Sequence, residues 1–237
     1  MNNSKKHKIY FSIDFEDFSH DYNRMFGGQI VLNNSIALYK SYERIKYILN
    51  KYLDNKKITF FVTGICARLN PDLIKKIHGD GHEIACHYNY HDHIKNQNPE
   101  ILRKNLKIAK KSITEITGEE PLGFRAPYFS IRPSDDWAYK IIAEEFRYDS
   151  SYKTPLNFQD AKNIFKKNNQ VSRLIEFFVF EYKLLFRLKL RSGGTFVRFF
   201  PAKWIKNALI QQVNTGHTPL IYFHPYEFTL NAEFWIP

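Results

Sequence analysis

The chain has only two cysteines in 237 residues, Cys66 and Cys86. Two thiols cannot make a disulfide framework, and without a CxxC pair they form no cysteine zinc motif. Such a chain suits a reducing compartment. Long apolar runs are missing too. The N-terminus, MNNSKKHKIYFSIDFED, is basic, but its apolar stretch meets Asp14 almost at once. It therefore reads as neither a signal peptide nor a membrane span, and the expected location is the cytoplasm. No internal repeat or low-complexity linker divides the chain, so we expect one domain, residues 1–237, with a full core.

Acidic residues are in the minority, 24 Asp and Glu against 35 Lys and Arg, for a formal charge of +11. That excess points towards anionic partners such as nucleic acid, acidic glycan or a phospholipid surface. The lysines, however, fall in scattered pairs (Lys56-Lys57, Lys75-Lys76, Lys110-Lys111, Lys166-Lys167), and no nucleic-acid motif accompanies them. No nucleic-acid partner is expected. Aromatic residues, by contrast, are plentiful, with 21 Phe and 15 Tyr.

Hydrophobic periodicity alternates between two kinds of element. KIYFSID alternates like a strand and ends in acidic residues, and KITFFVTG is a short apolar run closed by Gly64, as in a strand buried on both faces. Between them SIALYKSYERIKYILNKYL has helical spacing, with Ser35 as a plausible N-cap. NPDLIKKIHGDG predicts a helix opening at Pro71 and stopping at Gly79, and HEIACH reads as the next strand. NPEILRKNLKIAKKSITEITG is an amphipathic helix ended by Gly118. PLGFRAPYFS is a strand and loop, SDDWAYKIIAEEF a helix, and RYDSSY another strand end. From about 155 to 195 the pattern fits strands, a helix or both, and its aromatic and basic mixture also suits a membrane surface. PAKWIKNALIQQVNTG is a helix, and PLIYFHPYEF a last buried strand ending at His224. Alternating strands and helices argue for a parallel sheet or α/β barrel.

Reactive residues collect just after the strands. Asp14, Glu16 and Asp17 follow the first, His87 and His91 the third, Arg125 and Asp149 the next two, and His224 the last. In parallel α/β folds the carboxyl ends of the strands share one rim, where active sites form. His87 and His91, in IACHYNYHDH, would share one face if their segment were helical, and two imidazoles with a carboxylate can hold an ion and leave a place for water. Three acids in four residues repel one another unless a cation or an arginine offsets them.

Taken together, SIDFED, TFFVTG, GHEIACHYNYH, GFRAPYFS, YDSS and LIYFHPYEF occur in the order and spacing of the polysaccharide deacetylase family, the NodB-homology domains or family 4 carbohydrate esterases. The resemblance runs from Lys8 to Phe228. It is greatest to the branch of exosortase-associated deacetylases, with allantoinase-like relatives nearby. It implies a distorted (β/α) barrel of about seven strands. It also implies a metal-dependent hydrolase that removes acetyl groups from N-acetylated sugars or glycan precursors.

On matching positions, His87 and His91 correspond to metal ligands, Asp14 to the catalytic base and His224 to the general acid. Arg125 corresponds to the arginine holding the base, Asp149 to the aspartate tuning the acid, and the Tyr128 backbone N–H to an oxyanion donor. The metal carboxylate is Glu16 or Asp17: alternation favours Glu16 beside Asp14, and a turn starting there favours Asp17. Zn²⁺ is the expected ion, with Co²⁺ or another divalent metal as alternatives. His82 and His93 have no role in the resemblance and are expected to be structural or exposed.

Three features depart from the family pattern. DFED replaces adjacent aspartates, Cys86 stands where serine is usual and would be open to oxidation, and DSSYKTP lacks a tryptophan. The rival readings are an allantoinase-like hydrolase of a linear amide and a non-catalytic carbohydrate-binding protein. With a lipid-linked precursor as substrate, peripheral membrane association is also expected.

Overall fold

The computed structural model describes residues 8–26, 35–132, 135–155, 174–183, 189–191, 193–214, 216 and 218–229. Its centre is a parallel sheet of seven strands in the order β10-β1-β2-β3-β4-β5-β7. These are β1 (Tyr10–Phe15), β2 (Thr59–Val62), β3 (Glu83–Cys86), β4 (Gly123–Phe124), β5 (Tyr148–Asp149), β7 (Ile175–Glu176) and β10 (Leu220–Phe223). The sheet curls as an open half-barrel, in line with the barrel expected from the sequence. A smaller sheet joins β6 (Lys153–Pro155), β8 (Val179–Lys183) and β9 (Lys189–Arg191) in the order β6-β8-β9.

Two-residue alternation sorts the side chains of β1 between the two faces of the sheet. Ile13 and Phe15 join the main core with Leu38, Tyr42, Ile45 and Leu49 of α2 (Ser35–Tyr52). Ser12 and Asp14 point to the concave side, where both accept hydrogen bonds from Arg125. The seven strands thus present apolar residues to the helices and a polar interior to the rim.

The other helices are α1 (Phe18–Phe26), α3 (Gly64–Leu69), α4 (Pro71–Gly79), α5 (Pro99–Thr117), α6 (Asp136–Glu145), α7 (Thr195–Phe199) and α8 (Ala202–Asn214). Their ends follow local chemistry. The Asn98 side chain accepts from the Ile101 N–H at 2.9 Å, and Pro99 begins α5. Gly118 closes it in the left-handed region at φ 78°. Gly64 opens α3 so close to α5 that a Cβ there would meet Ala109 Cα at 2.9 Å.

The ambiguous stretch near 155–195 forms strands β7, β8 and β9 in its described part, where Leu174, Phe178 and Val179 are buried. Residues 156–173, 184–188 and 192 lie outside the described residues. His82 is buried, and its Nδ1 accepts from the Ile58 N–H at 3.3 Å. Burial and the Lys57 charge lower its pKa to about 4, so it is a neutral, structural imidazole. Cys66 and Cys86 are fully buried, and burial pushes the Cys86 thiol up to about 12. The expected oxidation liability at Cys86 is therefore absent from the folded state.

Candidate metal and hydrolytic site

All the strand-end residues singled out in the sequence lie along the carboxyl edge of the seven-stranded sheet. β1 sits between β10 and β2, so Asp14 and Glu16 stand next to His224, which follows β10. β1 ends at Phe15, and the next residue, Glu16, brings its side chain to His224 beside Asp14. Both side chains are buried.

The Glu16 carboxylate gathers three imidazoles. Its Oε2 lies 2.6 Å from His91 Nε2 and 3.5 Å from His87 Nε2, and its Oε1 lies 4.0 Å from His224 Nε2. Despite these approaches, Oε2 has no hydrogen bond of acceptable alignment and is buried. One oxygen of Glu16 and one nitrogen from each of His87 and His91 fall within 4.8 Å of one another.

The outer nitrogens of the two imidazoles are already engaged. His87 Nδ1 is 2.8 Å from the Arg125 carbonyl oxygen, and His91 Nδ1 bonds to the Asp21 carboxylate. Two nitrogens and one oxygen turned inwards, with a buried oxygen otherwise orphaned, fit a divalent cation. Burial opposes ionisation of Glu16, but the His91 charge and the close approach of the His87 and His91 rings hold its pKa well below the usual carboxylate value.

Asp17 is not part of this cluster. Its Oδ1 accepts from the Ser19 N–H at 3.0 Å and from Ser19 Oγ at 2.7 Å, which caps the start of α1. Of the two carboxylates left open by the sequence, the structure brings Glu16 to the histidines. The helical face imagined for His87 and His91 is also corrected. The segment is a loop, and Tyr88 takes a left-handed φ of 68° immediately after His87.

Arg125 is fully buried and ties three strands together. Nη1 donates to Asp14 Oδ1 at 2.5 Å and to Ser12 Oγ at 2.9 Å on β1. Nη2 donates to Ser150 Oγ at 2.9 Å, and Nε to the Ser150 carbonyl at 3.2 Å, just beyond β5. The guanidinium lies 4.0 Å from the centre of the Phe61 ring. Every donor direction used is satisfied by a neighbour, as a buried charge requires.

Asp149 has a different neighbourhood from the one expected. It accepts from Ser151 N–H at 2.9 Å and from Ser151 Oγ at 2.6 Å, and it pairs with Glu176 on β7. Burial and the adjacent Asp149 charge push Glu176 well above the usual range, making it the neutral partner. The carboxylate beside the His224 ring is Glu227, with Oε1 3.5 Å from Nδ1. Its other oxygen accepts the His224 backbone N–H at 2.8 Å and so closes the short 3₁₀ turn Pro225–Phe228. Burial works against protonation of His224, but the Glu227 contact and the Glu16 and Asp14 charges raise its pKa.

Tyr128 adopts φ 57° in the 3₁₀ turn Pro127–Phe129. Its ring lies 4.2 Å from His91 and 4.3 Å from His93, stacking on the latter. A polar groove of about 300 Å³ opens here, lined by Asp21, His91, Asp92, His93, Asn96, Gln97 and Tyr128. A second cavity, about 360 Å³, lies at the opposite, amino end of the strands and has Arg125 in its wall.

Sequence reasoning missed Asp21, Glu227 and Glu176. Glu227 had a detectable signal, because a side chain three residues into a turn can cap its start. Asp21 and Glu176 had none, since only the tertiary fold brings them to His91 and Asp149.

Residues 36–140 match the model of the polysaccharide deacetylases, and residues 151–233 match a domain of unknown function, DUF3473. The peptidoglycan-N-acetylglucosamine deacetylase PgdA of Listeria monocytogenes serotype 1/2a is 30% identical over 91 residues. That match spans 38% of this chain and 18% of the relative's length. Among solved structures, one from Mycobacterium smegmatis assigned to the polysaccharide deacetylases aligns at TM-score 0.60 and 19% identity, covering 95% of this chain and 80% of its own. The Puue allantoinase aligns at TM-score 0.60 and 18% identity, covering 92% and 77%. These two likenesses are of fold.

Proposed function

We propose that this chain belongs to the polysaccharide deacetylase family, whose model matches residues 36–140, and that it is a metal-dependent hydrolase removing acetyl groups from an N-acetylated sugar or glycan precursor. The observation that carries this reading is the Glu16–His87–His91 donor cluster beside the buried Asp14–Arg125 pair and His224.

Glu16, His87 and His91 would hold the ion, with Zn²⁺ or Co²⁺ the expected occupant. A divalent ion supplies Lewis-acid polarisation of an amide carbonyl and eases deprotonation of water. Asp14 is the base that takes the water's proton. Arg125, engaged through Oδ1, fixes that carboxylate in place and keeps its charge compensated. His224, whose raised pKa favours the imidazolium, gives a proton to the departing amine. Glu227 stabilises that imidazolium, the task the resemblance assigned to Asp149. The Tyr128 N–H is the oxyanion donor. Asp149 acts at one remove: through Ser151 it braces the segment whose Ser150 receives Arg125.

The whole chain is read as one catalytic domain. No helix among the described residues is long and apolar enough to cross a membrane. The proposed setting is cytoplasmic, with peripheral membrane association where the precursor is lipid-linked.

The test is acetate release from a panel of N-acetylated sugars, with loss of ureides assayed in parallel, using chelated and metal-reconstituted protein. Chelation should abolish turnover and Zn²⁺ or Co²⁺ restore it. Full activity in verified metal-free protein would overturn the metal role. Turnover of ureides alone would overturn the sugar substrate.

A further inference from the structure

We infer that Asp21 is the positioning residue for His91, setting both the tautomer of that ring and the affinity of the site for its ion. The inference rests on the reading of Glu16, His87 and His91 as metal ligands. Nothing in the motifs that follow the first strand points to Asp21, which lies on α1, 70 positions from His91.

The two histidines are held differently. Each turns Nε2 towards Glu16, but His87 Nδ1 meets a backbone carbonyl, whereas His91 Nδ1 meets the carboxylate of Asp21. A carboxylate at Nδ1 keeps the ring proton there and leaves the Nε2 lone pair facing inwards, which is the form that binds a cation. It also pushes electron density towards Nε2. The Tyr128 ring, 4.2 Å away, closes a further side of the imidazole, so His91 is oriented by Asp21, Glu16 and Tyr128 together.

The chain reaches this arrangement by a short local route. Asp17 caps the start of α1 through Ser19, and the first turn of the helix then carries Asp21 to the edge of the groove beside His91. The Asp21 side chain is only 11% exposed, so water competes weakly for its oxygens. A plainer role also exists, because an acid in the first turn of a helix favours that helix through its dipole. The two roles differ in what they predict.

The experiment measures Zn²⁺ dissociation constants by chelator competition for wild type, Asp21→Asn and Asp21→Leu, beside the thermal midpoints of the metal-free forms. Loss of an outer partner of a metal histidine weakens affinity by about 10–100-fold, and Asp21→Leu should fall in that range. Asp21→Asn keeps an acceptor for the Nδ1–H but loses the charge, so its loss should be smaller. In nitrogen-15 spectra of the zinc form, the His91 Nδ1–H should be slowly exchanging in wild type and lose that protection in Asp21→Leu.

Unchanged zinc affinity in both variants would overturn the inference while leaving the metal site intact. An affinity loss matched by an equal loss of metal-free stability, with the His91 signal unaltered, would also overturn it in favour of the helix role. If Asp21→Leu does not fold, Asp21→Asn decides by the same two readouts. A wild-type protein that binds no zinc, cobalt or other divalent ion would instead bring down the metal-site reading, and this inference with it.

Discussion

Replacing Arg125 with Met tests the energetic heart of the rim. Methionine roughly keeps the length of the side chain but removes its charge and all its donors. Asp14 would lose its 2.5 Å partner and remain buried, while Ser12 and Ser150 would lose the donors they now receive. Removing one partner of a buried ion pair costs about 3–5 kcal/mol, because the surviving charge has no water to replace it. For a chain of this size each kcal/mol lowers the thermal midpoint by roughly 2–4 °C, so Arg125→Met should melt roughly 6–20 °C below wild type. Urea unfolding of metal-free protein, followed by circular dichroism, gives the free energy directly. Asp14→Asn should also destabilise, since it strands the guanidinium. The double variant should then be less damaged than the sum of the singles, with a coupling of about 0.5–3 kcal/mol. An Arg125→Met protein within about 1 kcal/mol of wild type, or strictly additive losses, would refute the account of Arg125 as a buried, fully compensated charge.

The remaining predictions concern the carboxylates around the ion and the acid. Glu16→Gln should weaken metal affinity and be partly rescued by excess metal, whereas Asp17→Asn should keep its metal and nearly all its stability, because asparagine caps a helix about as well as aspartate; metal analysis giving the reverse order would move the ligand to Asp17. Glu227→Gln should lower the pKa of His224, which Glu227 now helps to raise. A general acid works when protonated, so activity falls as pH rises through its pKa, and that alkaline limb of kcat/KM should shift to lower pH in the variant. An unmoved limb would separate Glu227 from the acid.

Where the sequence was legible, the reason was short-range and periodic. Strand alternation put Asp14 and Glu16 on one side, and the Asn98-Pro99 opening and Gly118 closing of α5 follow from chemistry within a few residues. The parallel sheet followed from alternating strands and helices, and its strand number of about seven from the family resemblance. The choice between Glu16 and Asp17 stayed open because it depends on where β1 hands over to α1, where Asp17 Oδ1 accepts from Ser19 while Glu16 faces the histidines. His87 and His91 were found by their spacing, but a helical face was the wrong geometry for them: Tyr88 in the left-handed region makes the segment a loop. Asp149 was matched by motif position, yet Glu227 stands beside His224 because a tight turn folds it back three residues. Between 155 and 195 the aromatic and basic residues follow no single period, and β7 and β8 are set by pairing with β5 and β6, far back in the chain.

The two buried thiols carry a practical consequence. At neutral pH a thiol with a pKa near 12 is almost never a thiolate, and neither sulfur has a route to solvent while β3 and α3 remain packed. A water-soluble alkylating reagent should therefore leave the native protein unlabelled for as long as the surrounding structure holds. Labelling becomes a clock for opening: Cys86 reports on the sheet next to the ligand loop, and Cys66 on the helix behind it. Followed residue by residue with and without added metal, the two rates would reveal whether the ion steadies only the rim or the whole barrel.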